Sequence, residues 1–185
     1  MKELLKNIVP TERVEELISI GQIKTINSGE YFIREGETPN KFAFVKSGLF
    51  RFVYINDKGF EFTKGIIPEH NFISSYSAMI SKSKSLFFIE ALENAEIFEI
   101  SYEKWKVLLE TDAFWVKFLL TIIEKGFSIK EKRERDLLLL NAETRYINFL
   151  KEFPKMEKRI KQTIIASYLG IQPESLSRIR KKILT

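Results

Sequence analysis

The sequence predicts an α+β chain: an antiparallel β-sandwich or barrel, then one long helix, then a C-terminal helix-turn-helix. Three observations carry that reading. From Gln22 to Ile100 apolar residues alternate at period two in short runs separated by glycines. From Ala113 to about Leu140 no proline interrupts a helical pattern. From Lys161 onward two short amphipathic segments flank Gly170.

Taken in order, Leu4, Leu5, Ile8, Val14, Leu17 and Ile18, with Pro10-Thr11 between them, predict two short helices that cap the domain entered next. Strands are expected in Tyr31-Phe-Ile33, Phe42-Ala-Phe-Val45, Leu49-Phe-Arg-Phe-Val-Tyr54 and Ile97-Phe-Glu-Ile100, with Gly29, Gly36, Gly48 and Gly59 at the turns. Glu90, Glu93, Glu96 and Glu99 recur every third residue through a strand, so they share no helical face and read as a solvated edge rather than an acid–base pair.

Thr111-Asp112 predicts an N-cap for a helix from Ala113 to about Leu140, ~42 Å long at 1.5 Å per residue. Trp115, Leu119, Ile122, Gly126 and Ile129 recur at alternating four and three, a heptad seam, and Gly126 would let two such helices come close. A parallel homodimer through that seam is the expectation. Lys130 to Arg135 reads as a solvated, self-paired stretch. Asn141 caps a further helix carrying Ala142, Tyr146, Phe149, Leu150 and Phe153 on one face, and Pro154 ends it. The expected domains are residues 1–112, 113–140 and 141–185.

In the last segment Ile165, Ala166 and Leu169 share one face of a first helix, and Leu176, Ile179 and Ile183 one face of a second. Ala166 is small where two crossing helices must approach, Gly170 suits a positive φ in the turn, and Pro173 suits the first position of the second helix. Facing outward are Gln172, Glu174, Ser175, Ser177, Arg178 and Lys181, with Arg180, Lys181 and Lys182 toward the helix end. Such side chains read base edges or hold phosphates: arginine forks onto guanine, a carboxylate accepts from cytosine, hydroxyls serve either. Charge agrees. Residues 151–185 carry nine basic and three acidic side chains, +6, while the first 150 carry 21 and 22, −1, so a polyanion is expected to meet one end only. Double-stranded DNA is the expected partner.

Composition excludes other classes. With no cysteine there is no disulfide framework, thiolate metal site or cysteine-held iron–sulfur cluster. His70 is the single histidine, read as a surface or rim imidazole, so a metal cupin, which needs several imidazoles around one ion, is not expected, while haem held by one histidine stays open with no other feature to support it. There is no nucleophile–base arrangement and no phosphate-cradling glycine loop, so no enzyme is expected. Met1-Lys-Glu-Leu-Leu-Lys6 begins no secretory signal and no apolar run reaches membrane-spanning length, so the expected location is the cytoplasm.

Residues Ile165 to Lys182 resemble the DNA-binding end of Crp/Fnr transcription regulators, and Glu174-Ser-Leu-Ser-Arg178 is similar to the E-x-x-S-R signature of the Fnr branch; Pro173 stands where the Crp branch has arginine. Gly29-Glu-Tyr-Phe-Ile-Arg-Glu-Gly36 followed by Phe42-Ala-Phe-Val-Lys-Ser-Gly48 resembles the cyclic nucleotide-binding jelly roll of the same family. The resemblance implies a homodimeric regulator that reads DNA through Glu174, Ser177 and Arg178, dimerises through the long helix and meets RNA polymerase. It also implies a ligand pocket around Glu69, Lys84, Ser85 and Phe87. There Pro68-Glu69 takes the place of the ribose-holding Gly-Glu, Ser85 takes the place of the phosphate-clamping arginine, and Leu86, Phe87 and Phe88 are ready to fill a cavity or contact an apolar ligand. Cyclic AMP is therefore not the expected ligand; no cofactor is expected, and an effector of another kind stays open. Family members carry a winged hairpin after the recognition helix, and with the sequence ending at Thr185 that wing is expected to be absent. A second reading, from a different class, is a ligand-binding or protein-interaction module that has lost specific DNA binding.

Overall fold

The computed structural model describes residues 2–6 and 8–184; the expectations drawn at Met1 and Thr185 lie outside the described residues. The chain packs as two compact units, Met1–Tyr54 with Gly65–Leu120 and Ile55–Lys64 with Thr121–Thr185. This division differs from the boundaries drawn at 112 and 140, because the long helix is shared by the two units and the Ile55–Lys64 hairpin tip goes with the second.

In the first unit, helices α1 (Lys2–Leu5) and α2 (Val14–Ser19) lead into strands β1 (Gly21–Ile26), β2 (Tyr31–Ile33), β3 (Lys41–Ser47) and β4 (Phe50–Ile55). Then come β5 (Glu61–Ile67), β6 (Phe72–Ile73), helix α3 (Tyr76–Ser81), β7 (Phe88–Ala91), β8 (Ala95–Ser101) and helix α4 (Tyr102–Thr111). The strands form two four-stranded sheets, ordered β1-β8-β3-β6 and β2-β7-β4-β5, an antiparallel jelly roll. The chain reverses at Gly29, Gly36, Gly48 and Gly59, all with positive φ.

Strand β3 carries the apolar run Phe42 to Val45, and β8 carries Ile97, Phe98 and Ile100, because both faces of these strands are covered. Ala43, Val45, Ala95 and Ile97 join Phe50 and Ile89 in the core between the sheets. Their neighbours Phe42, Phe44, Phe98 and Ile100 join a second core with Leu5, Val14, Leu17, Trp105 and Trp115. The N-terminal helices thus cap the barrel as expected. Helix α4, which the sequence reading did not single out, supplies Trp105 and starts on Ser101, whose hydroxyl accepts from the Lys104 N–H at 3.3 Å.

The glutamates of β7 and β8 are not a solvated edge. Strand β8 lies inside its sheet, and Glu99 is buried between Lys24 at 2.7 Å and Lys41 at 3.2 Å. Burial pushes its carboxyl upward, but the two ammonium groups outweigh it and hold Glu99 below the usual glutamate value. Glu90 likewise pairs at 2.6 Å with Arg51, its cross-strand partner, which is only 4% exposed.

Helix α5 spans Ala113–Leu139, about 40 Å. Asp112 caps it, its Oδ1 accepting from the Phe114 N–H at 2.8 Å. That bond, and then the Arg13 guanidinium, hold the Asp112 carboxyl below the usual aspartate value. The face expected to meet a second copy is corrected at its start. Trp115 is 0% exposed, donates from Nε1 to Glu16 at 2.9 Å and stands edge-on to Trp105 at 5.8 Å, and Leu119 packs on the same core. Ile122 is half-buried, Gly126 and Ile129 exposed. Among the exposed apolar residues of α5, Val116, Leu120, Ile123 and Phe127 repeat the four-three-four spacing turned by one residue, and Ile129 and Leu137 to Leu139 are exposed further along. No helix among the described residues is long and apolar enough to cross a membrane.

Candidate nucleic-acid interface

The second unit is built on aromatic packing. Helix α6 (Ala142–Glu152) starts on Asn141, whose side chain accepts from the Thr144 N–H at 2.9 Å, as its sequence position predicts. It buries Tyr146 and Phe149, and Phe149 meets Phe153 at 5.4 Å and Tyr168 at 5.9 Å. Helix α7 (Gln162–Leu169) lies against it, with Ile165, Ala166 and Leu169 buried.

The turn that follows has the geometry expected of a helix-turn-helix. Gly170 adopts φ 66°, and the Ile171 N–H reaches back to the Ala166 carbonyl at 3.0 Å. These are the left-handed residue and the six-to-one bond of a Schellman stop. Any side chain at position 170 would be strained, and its Cβ would lie 3.3 Å from Leu137. Pro173 opens helix α8 (Pro173–Leu184), and the Gln172 carbonyl accepts from the Ser175 and Leu176 N–H groups at 3.0 and 3.2 Å. Leu176, fully buried, seats α8.

Because Leu176 points inward, the opposite side of α8 faces out. Glu174, Ser177, Arg178 and Lys181 are exposed and fall within about 100° around the axis, with Gln172 exposed just ahead of them. The other three candidates stand apart. Ser175 is half-buried at the shoulder, Arg180 is half-buried beside Tyr146, and Lys182 pairs with Glu143 of α6 at 2.7 Å. Phosphate contact by Lys182 would have to displace that ion pair.

A second set of contacts has no local sequence signal, since its partners lie far apart along the chain. The Ser167 hydroxyl of α7 accepts from the Thr63 N–H at 2.8 Å and donates to the Glu61 carbonyl at 3.1 Å. Arg133 of α5 donates to the Thr63 carbonyl at 3.0 Å and lies over the Tyr168 ring at 4.0 Å. Burial is the main cause that pulls the Arg133 guanidinium below the usual arginine value and pushes the Tyr168 phenol up.

The expected ligand pocket is rearranged in the first unit. Glu69 sits at the turn between β3 and β4, accepting from the Gly48 N–H at 3.2 Å. Ser85 is buried, with its hydroxyl 3.0 Å from Ser75 Oγ and 2.8 Å from the Phe87 carbonyl. The residue beside Ser85 is therefore Ser75, which the sequence reading passed over. Lys84 is exposed. Of the three apolar residues expected to fill a cavity or contact an apolar ligand, Phe87 turns into the core, packing on Phe52 and Tyr54 at 5.3 and 6.0 Å. Leu86 is exposed, and the Phe88 ring lies tilted against Tyr31 at 5.0 Å. His70 is exposed, and no group of three or more potential metal ligands occurs among the described residues.

Residues 23–112 match the cyclic nucleotide-binding domain family. No curated protein sequence matches the chain. Solved structures resemble it over most of its length. The c-di-GMP-responsive global regulator CLP of Xanthomonas campestris matches with a TM-score of 0.74 and 18% identity, over 94% of this chain and 91% of CLP. FixK2 of Bradyrhizobium japonicum matches with a TM-score of 0.77 and 16% identity, over 89% and 84%. A Eubacterium rectale protein assigned to the Crp/Fnr family of transcriptional regulators matches with a TM-score of 0.73 and 18% identity, over 97% and 86%. At these identities the likeness is one of fold.

Proposed function

We propose, starting from a chain whose residues 23–112 are a cyclic nucleotide-binding domain by family and whose fold is that of the Crp/Fnr regulators, that it is a homodimeric, sequence-specific DNA-binding regulator of transcription and not an enzyme. The observation that carries this reading is the outward edge of α8. Glu174, Ser177 and Arg178 stand exposed on a helix that Leu176 and the Gly170 turn hold firmly, with Lys181 one turn further on. Arg178 and Glu174 suit guanine and cytosine edges, and Lys181 suits a phosphate. Two copies are required for a symmetric operator, whose half-sites lie about 34–36 Å apart. The outward stripe Val116, Leu120, Ile123 and Phe127 supplies a seam for them.

The barrel supports a sensor that does not take cyclic AMP. Two buried hydroxyls, Ser75 and Ser85, bond each other where a cyclic phosphate would need a guanidinium fork, and Phe87 occupies the core beside them. Selection from random duplexes with the purified full chain tests the DNA reading. Enrichment of a paired, inverted motif is expected; a flat distribution would leave a ligand- or protein-binding module without specific DNA affinity.

A further inference from the structure

The guanidinium of Arg145, on α6, is shared between two helix ends. Nε donates to the Leu169 carbonyl at 3.0 Å, at the last turn of α7, and Nη1 lies 2.6 Å from the Leu140 carbonyl and 3.5 Å from that of Leu137, at the end of α5. The final carbonyls of a helix have no partner within it. Here one planar fork serves those of two helices. A second contact lies beside it: Leu137 approaches Gly170 so closely that a Cβ there would stand 3.3 Å from Leu137 Cδ2. The end of the long helix is therefore held directly against the turn from which α8 springs.

We infer that Arg145 is the positioning residue that sets the angle of α8 on the end of α5, and thereby the half-site spacing an operator must have. This rests on the DNA-binding homodimer proposed above. In such a dimer the two long helices fix the separation of their own ends, so the remaining freedom is at the α5–α7 junction. Arginine reaches both carbonyl groups at once because its donors are rigidly spread; lysine keeps the charge but offers a single point. Arg145 lies on a different helix from the reading edge of α8. The inference therefore separates spacing from base preference.

The test uses the full chain, Arg145→Lys and Leu137→Ala, which loosens the same junction with the fork intact. Each is titrated on the wild-type selected operator and on versions with one or two base pairs inserted between the half-sites, with melting followed by circular dichroism. For the wild type a one-base-pair insertion is expected to weaken binding roughly 100-fold, since it rotates and displaces one half-site against a rigid pair. For Arg145→Lys that penalty should fall to about tenfold or less while the preferred bases within each half-site stay the same; Leu137→Ala should show a smaller relaxation. Wild-type spacing penalties in both folded variants would overturn the inference, and if Arg145→Lys does not fold, an unchanged penalty in Leu137→Ala alone does so. Failure of the wild type to select any paired motif would instead strike the DNA-binding reading.

Discussion

Arg178 is exposed on α8 and stands one helical turn from Glu174, at the same edge. Replacing it by alanine is expected to cost about 1–3 kcal/mol on the selected operator and to relax discrimination at one base pair, as befits a bidentate contact with guanine. Gel-shift titration against single-base variants checks this, and an unaltered site preference would remove Arg178 from the reading edge. Glu99 makes a different kind of prediction. Its folded carboxyl is held below the usual value by Lys24 and Lys41 despite burial, so its charge stabilises the fold above the unfolded glutamate value of about 4.3. That contribution is lost as pH falls through the lower folded value. In urea unfolding the wild type should exceed Glu99→Gln at pH 7, with the gap closing below about pH 4; a gap that is constant down to pH 2 would show that the ion pairs add nothing.

At the level of single elements, α5 does two things with two adjacent stripes. Trp115 and Leu119 belong to the core of the first unit, while Val116, Leu120, Ile123 and Phe127 are left for another surface. Phe127 is 64% exposed and its change to glutamate removes nothing from the chain's own core. Phe127→Glu is therefore expected to leave the protomer folded and raise the dimer dissociation constant roughly 100-fold, the effect of about 3 kcal/mol of buried, unpaired charge. Sedimentation velocity reads the outcome directly, and an undisturbed dimer would place the seam elsewhere. Both stripes are apolar at spacings a helix allows, so periodicity marks the helix as two-sided without saying which side is inward. The Trp115 indole finds its partners in Glu16, far away in sequence, and in Trp105 of the preceding helix, and these contacts bury the first residue of the expected seam.

For the molecule as a whole, the proposed DNA-binding regulator makes a prediction about cyclic nucleotides. A ligand can shift a regulator only by binding one of its arrangements better than another. With Ser75 and Ser85 bonded together and Phe87 in the core, cyclic AMP at millimolar concentration should give no calorimetric heat and no change in operator affinity. Stoichiometric micromolar binding would refute this.

How much of this was legible beforehand follows the range of the interactions. Turn glycines, the Asp112 and Asn141 caps, the Schellman stop at Gly170 and the proline at the head of α8 depend on residues within a few positions of one another, so the sequence by itself determined them. It also determined the α+β class, because period two and period 3.6 are properties of local runs. Only the tertiary structure decided that Ser75 meets Ser85, that Glu99 is clasped by two lysines, that Ser167 takes the place of a strand partner for Glu61 and Thr63, and that Lys182 turns to Glu143. The buried contacts depend on which polar groups lose water together when distant segments pack, and a buried donor or acceptor takes the partner that packing brings to it, while Lys182 and Glu143 meet at the surface because packing sets α8 beside α6.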